Sequence, residues 1–568
     1  MVVLTTGNFM KFDRKLKKML LLLIVLVIVS LIATGMILSK LMKDAKEASV
    51  KQDGPWFFQQ SLETGETVIL ENAFLISSKE KKITFLHKNE IYTVEGESSE
   101  ELFGIADIVI DGMDISKIRL KPDGKTGVLT SYNENTLTLD NTNVLNRKED
   151  VPVYKIIEGN VQQTDWGAFV IGASKIKCIL QEGQVSAILL EEDTMPQDVR
   201  VIIKNGNSLF YSDVYVKKQS TQEVISAKAQ MQAQNINVLE VTDEQGLFLC
   251  DANGATSGEA YQGSFRILQT EEGIILINTV DMETYLKYVL PSEMPSSFEP
   301  EALKAQAVCA RTYAYAQMHN ASYAKYGANM DDSTSFQVYH KQVPSEKTNL
   351  AVEETKREVV SCNGSLITCY YYSTSPGVTN DLSVWGTDNR AYISVMGLDT
   401  ANQLNLSQNG DFSNYIRNTY DCYDTESPYY RWQAKLDISQ IKDTQKGLLQ
   451  SIEVQKRNNA GYITELLLHY ENGQETLIKE GEIRNKLGNY LSEIVLNNES
   501  IRTDFSTLPS ACFEVLHTEN GTITLQGGGF GHGIGLSQYG ANAMAKKGFG
   551  YKEIVKYYYS NVAIKKIE

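Results

Sequence analysis

The 568-residue sequence contains no CxxC pair, no His/Cys spacing suited to a metal, no GxxxxGK(S/T) loop and no GxSxG elbow. These absences remove a zinc-ribbon site, a phosphate loop and a nucleophile-elbow hydrolase. The seven cysteines, Cys178, Cys250, Cys309, Cys362, Cys369, Cys422 and Cys512, are odd in number and scattered, so no disulfide framework is expected and they read as mostly buried thiols. The Asn363-Gly364 pair signals a two-residue hairpin in which Ser365, not Cys369, faces Cys362. Positive charge is also short: 54 Lys and Arg against 70 Asp and Glu leave a net charge of -16. No Lys/Arg cluster suited to a polyanion stands out, and binding by counterion release needs one, so nucleic acid is excluded as a partner. What remains is a folded, multidomain composition, 42% apolar and 22% charged with only 11 prolines.

One uncharged apolar run dominates the N-terminus. Met19 to Ser39 is 21 residues long, and as a helix it would span about 31 Å, one bilayer crossing. Lys11, Arg14, Lys15, Lys17 and Lys18 precede it, which places the N-terminus in the cytoplasm and the bulk of the chain outside. The run exceeds a usual signal-peptide core and no small-x-small site follows, which favours an uncleaved anchor over a cleaved signal peptide. The expected organisation is a cytoplasmic tail (1–18), a transmembrane helix (19–39), a linker (40–53), a β-rich module (54–196) and a larger region (197–564). In the module, Val68 to Ile76, Ile83 to Val94, Ile115 to Leu120 and Thr136 to Leu139 read as strands, with Pro122-Asp123-Gly124 as a turn. In the larger region Pro300 to about His319 reads as a helix opened by proline. Strands and helices are segregated rather than alternating, so the predicted class is α+β.

Two stretches concentrate possible chemistry. In DMETYLKYVLPSEMP, Glu293 falls on a short loop among Leu290, Pro291, Met294 and Pro295. Such apolar flanks would desolvate the carboxyl and raise its pKa toward a general acid's range. The pattern alone leaves two readings, an acid catalyst and an ordinary turn glutamate. In GGGFGHGIGLSQYGA, six of the first nine residues are glycine, which implies close backbone approach ahead of a helix beginning near Ser537. His532 within it is either a neutral imidazole tied to the loop or a proton-transfer group. Asp331, Asp332, Gln337 and Tyr339 in DDSTSFQVY, and Ser373, Ser375 and Thr379 in YYYSTSPGVTND, set polar groups beside aromatics as a sugar site does.

Taken together, YLKYVLPSEMPSSFEPEALKAQAVCARTYAYA, DDSTSFQVY, YYYSTSPGVTND, SPYYRW and GGGFGHGIGLSQYGANAMAKKGFGYKEIVKYYY resemble the sporulation stage II protein D family, also called the SpoIID/LytB domain. The resemblance runs from about Asp198 to Val562 and makes 197–564 a SpoIID-like catalytic region. It implies a lytic transglycosylase that cleaves the MurNAc-GlcNAc bond of peptidoglycan glycan strands, with Glu293 as acid/base and a 1,6-anhydro product. Gln306, Gln337, Tyr339, Ser375, Thr379, His532 and Gln538 are then expected to line the cleft. Lys304 and Arg311, seven apart on one helical stripe, are expected to pair with acids. Some clostridial members carry a zinc-binding His and Cys pair near the DxxxxxQ segment. Met330 and Phe336 stand where the cysteines would fall, so no metal or cofactor is expected. The implied partners are glycan strands, the membrane, and a cell-wall amidase or engulfment-type complex. The alternative from the LytB side is a non-catalytic modifier that stimulates an amidase.

Overall fold

The computed structural model describes residues 36, 38–44, 55–79, 81–96, 101–157, 159–192, 195–395, 397, 405–519 and 521–567. The chain divides into two compact units, the first comprising residues 1–128, 134–166 and 174–192, the second 129–133, 167–173 and 193–568.

In the first unit the helix Trp56–Thr64 accompanies a five-stranded antiparallel sheet, in which Val68–Lys79 is flanked by Lys82–His87 and Gly104–Asp111. Alternation drives it: along Lys82–His87, Ile83 and Phe85 meet Phe57 and Ile108 in one core, while Leu86 on the opposite face joins Phe74 and Ile105 in another. The stretch from Ile83 to Val94, expected as one strand, is a hairpin turning at Lys88 and Asn89, both at positive φ (51° and 66°). A lysine at such a position gives no sequence warning, since turns of this kind normally announce themselves with Asn-Gly or Asp-Gly. A seven-stranded sheet that includes Val153–Ile157, Lys175–Gln181 and Gln184–Glu192 completes this part of the chain.

The second unit is built on a five-stranded sheet in which Ile274–Asp281 lies between Ser264–Gln269 and Asp198–Ile203. The strand runs directly into the helix Met282–Glu293, which packs with the helix Pro300–Gln317. That second helix opens with Pro300 at its first turn, and its alanines 302, 305, 307, 310 and 314 are fully buried, so neighbours can approach on every side. Arg311 within it is completely enclosed and pairs with Glu283 (Nη2–Oε2 2.6 Å, Nε–Oε1 3.0 Å), while Lys304 pairs with Glu301 and Glu354. The expected role of these two cations in fixing the helix is thus observed. Further along, Trp432–Asp437 sits between Leu491–Leu496 and Thr522–Gly527 in an antiparallel sheet over a core containing Trp432, Leu525 and Phe513. The hairpin at Glu358–Cys362 pairs Cys362 with Ser365, as its Asn-Gly turn requires. Five of the seven thiols are buried, Cys250 and Cys362 being only half-buried.

Two expectations are corrected. The α+β class gives way to a chain in which strands prevail among the described residues, because the region around residues 432–527, which reads as mixed in sequence, forms antiparallel sheets. The N-terminal transmembrane helix, the membrane partner and the single-pass cell-membrane location are not supported either, since no helix among the described residues is long and apolar enough to cross a membrane. Those expectations rested on the hydropathy of one run, and that run lies outside the described residues except for Met36, Leu38 and Ser39.

Candidate active site

Glu293 is the last residue of the helix Met282–Glu293 rather than a loop residue. Asp281 starts that helix by accepting the Thr284 N–H (3.1 Å), and Ser292 closes its last turn by donating to the Tyr288 carbonyl (2.6 Å). Pro291 falls in this final turn, and the chain becomes extended at Met294. The buried Arg311–Glu283 pair ties the same helix to its neighbour, which fixes the line along which Glu293 is presented.

The carboxyl opens into a cavity of about 530 Å3 whose walls are largely aromatic: Tyr313, Phe336, Tyr370, Tyr371, Tyr372, Trp385 and Phe530. One carboxyl oxygen accepts the Val338 N–H at 2.6 Å, and the Tyr371 hydroxyl also hydrogen-bonds the group. Desolvation outweighs both contacts and pushes the Glu293 pKa up to about 7. Behind it, Gln337 accepts from the Tyr285 hydroxyl (3.1 Å) and donates to the Tyr371 hydroxyl (3.0 Å) and the Ala310 carbonyl (3.1 Å), which sets the orientation of Tyr371. Glu293 is the one carboxylate, and Arg484 the one Lys or Arg, among the described residues lining this cavity.

The opposite wall comes from the glycine-rich segment. Tyr371–Tyr372 pairs in parallel with Leu536–Ser537, so the loop from Gly527 to Gly535 lies against the tyrosines. Gly531, at φ 109°, passes so close that a Cβ there would lie 2.7 Å from the Tyr372 Cβ; at Gly535 it would lie 2.1 Å from the Tyr370 carbonyl oxygen. Only glycine allows that approach. His532 accepts the Ile534 N–H on Nδ1 (3.1 Å) and packs against Trp385 with ring centroids 5.1 Å apart. Burial, with Arg484 adding to it, lowers its pKa to about 3, so the imidazole stays neutral and serves the loop. The N–H groups at the start of the helix Gln538–Lys546 are in use: Gly540 donates to the Ser537 hydroxyl and Tyr539 to the Ser373 carbonyl. This helix end therefore holds its own loop.

Of the residues singled out in the sequence, Glu293, Ser373, His532 and Gln538 line the one cavity, and Gln337 stands immediately behind it. Tyr339 is buried and donates to Asn278 Oδ1 (2.8 Å), Ser375 donates to the Val378 carbonyl (3.0 Å) and Thr379 to the Ser394 carbonyl (2.9 Å). Gln306 is fully buried within its helix, and neither amide atom has a hydrogen-bond partner among the described residues. Asp331 accepts from Ser333 and Tyr323, while Asp332 pairs with Lys341 (2.7 Å). Sequence reasoning missed Trp385, Arg484 and Asp424. The last is fully buried behind Tyr372, takes the Ser375 N–H (2.9 Å) and the Ser537 hydroxyl, and is pushed up to about 7 by desolvation. No local pattern marks these three; each is joined to the site only through the fold.

The stage II sporulation protein (SpoIID) family model matches residues 270–361, which include Glu293, and a domain of unknown function matches 380–535. The amidase enhancer of Bacillus subtilis is 31% identical over 295 residues, 49% of this chain and 40% of that protein, so the match spans less than half of that relative. Stage II sporulation protein D of Bacillus subtilis is 30% identical over 309 residues, 51% of this chain and 75% of that protein. An uncharacterized protein of Brachyspira hyodysenteriae is 28% identical over 353 residues, 61% of this chain and 83% of its own length. The chain belongs to the SpoIID family and has a cell-wall-related role.

Proposed function

We propose that the chain is a lytic transglycosylase that cleaves the MurNAc-GlcNAc bond of peptidoglycan glycan strands. The observation that carries this reading is Glu293, a carboxyl held near neutrality in an aromatic-walled cavity whose described lining offers no second carboxylate. Most glycosidases that use water or a covalent intermediate flank the bond with two carboxylates. A single one suffices when the substrate supplies its own nucleophile. Glu293 protonates the glycosidic oxygen, the C1–O bond breaks, and the muramic C6 oxygen bonds to C1 while its proton passes to the Glu293 carboxylate. The strand leaves with a 1,6-anhydro end and the acid is restored without water. Tyr371, Tyr372 and Trp385 offer faces for sugar rings, and Arg484, held by Glu480 and the Leu508 carbonyl, would meet the lactyl carboxylate of muramic acid with its remaining N–H groups.

A second reading, favoured by the similarity to a protein named amidase enhancer, is a glycan-binding partner that stimulates a cell-wall amidase without cutting glycan. Digestion of purified glycan strands, with and without stem peptides, separates the two. The transglycosylase reading expects anhydro-sugar products by mass spectrometry from the parent chain and none from folded Glu293→Ala. Equal digestion by both proteins would overturn it.

A further inference from the structure

The first unit holds a cavity that the proposed chemistry does not use. Its volume is about 530 Å3, inside the range of about 300–1,000 Å3 usual for small-molecule sites. Two of the chain's four tryptophans, Trp56 and Trp166, stand in its walls. Trp56 is 40% exposed, whereas Trp432 in the second unit's core is 1% exposed. An indole left partly in water forgoes burial energy that a core position would recover. Both rings are held in place: Lys88 Nζ lies 5.5 Å from the Trp56 ring centre and the Arg147 guanidinium 4.6 Å from that of Trp166. Each indole thus has one face backed by a cation.

Several polar groups of the same cavity are unspent among the described residues. Glu71 and Asp150 line it, are exposed, and make no side-chain hydrogen bond or ion pair among the described residues. Gln163 accepts the Asn89 N–H on Oε1 (3.0 Å), and its amide N–H2 has no partner among the described residues. The cleft therefore offers flat apolar faces beside several strong acceptors and one free donor. Ring C–H faces on indole, hydroxyl groups donating to carboxylates and a carbonyl accepting from an amide are the complement of a sugar.

We propose that this cleft binds an uncharged saccharide, with an N-acetylated hexosamine segment as the chemistry that fits. Charge narrows the choice. Glu71, Glu149 and Asp150 outnumber Lys88 among the lining residues, so an anionic sugar or phosphate is repelled. A cationic ligand would look for the indole faces that Lys88 and Arg147 already occupy. The inference stands on this cleft alone and does not depend on Glu293.

The test is titration of the full chain with N-acetylchitotetraose, followed by calorimetry and by tryptophan fluorescence in a Trp385→Phe background that silences the other cavity's indole. Saturable binding is expected, weakened about tenfold or more by Trp56→Ala with Trp166→Ala. Glu71→Ala with Asp150→Ala alters only exposed, unpartnered groups, so it tests the same cleft should the tryptophan variant fail to fold, and it too is expected to weaken binding. De-N-acetylated chitotetraose, a polycation, is expected to bind more weakly. Absence of binding, binding indifferent to both pairs of substitutions, or tighter binding of the polycation would each overturn the proposal.

Discussion

The two units each enclose a cavity of about 530 Å3, and the carboxylates in them are used in opposite ways. Glu71 and Asp150 in the first unit are exposed and line the cleft proposed to bind a saccharide. Glu293 in the second is walled by tyrosines and a tryptophan, and loss of solvent alone moves it to where it can give and take a proton near neutral pH. On the two proposed readings, the same functional group serves as a binder or a catalyst according to how much water reaches it. The surroundings follow suit, with a lone arginine lining the Glu293 cavity and an excess of acid lining the other.

The largest effect that tests this contrast is Glu293→Gln. Turnover of denuded glycan should fall by about 10³-fold, with glycan binding and the melting temperature kept. If only affinity falls, Glu293 belongs with the acceptors of the first unit. Next comes Glu283→Ala, which strands the enclosed Arg311. A loss of about 3–5 kcal/mol in denaturant unfolding is expected, because one partner of a buried pair is left uncompensated. A substantially smaller loss would mean that water reaches this interior as it reaches the first cleft.

Asp424→Asn sharpens the point about solvent. The Asp424 pKa is raised from 3.8 to about 7, so the folded state holds its proton more tightly than the unfolded chain does. The stability this supplies is full below about pH 4 and is lost as pH rises through about 7. Asparagine keeps an oxygen for the Ser375 N–H and the Ser537 hydroxyl, so the variant should lose part of the parent's decline in melting temperature between those limits. Parallel pH profiles for the two proteins would show that Asp424 stays charged and solvated. The smallest effect is expected of Glu71→Ala with Asp150→Ala, a change in stability within about 0.5 kcal/mol, measured by thermal unfolding.

The sequence made some of this legible for definite reasons. Pro300 announced the helix that it opens, and the apolar neighbours of Glu293 announced a desolvated acid. Pro291 misled, because a proline two residues before a helix end removes an N–H without ending the helix, and so Glu293 reads as a loop residue. Trp385, Arg484 and Asp424 could not be found, since each reaches the site only through contacts with segments remote in the chain. The Lys88-Asn89 turn was hidden because lysine is not a residue that usually adopts positive φ and no glycine follows Asn89.

The parallel pairing of Tyr371–Tyr372 with Leu536–Ser537 joins segments far apart in the chain. Long-range closures of this kind are costly in chain entropy and come late in folding. During synthesis the acid is therefore made long before the wall that faces it, and a nascent chain that ends before the glycine loop has Glu293 without an enclosing pocket. The pocket proposed to cut glycan is therefore closed only after residue 537 has been added and docked.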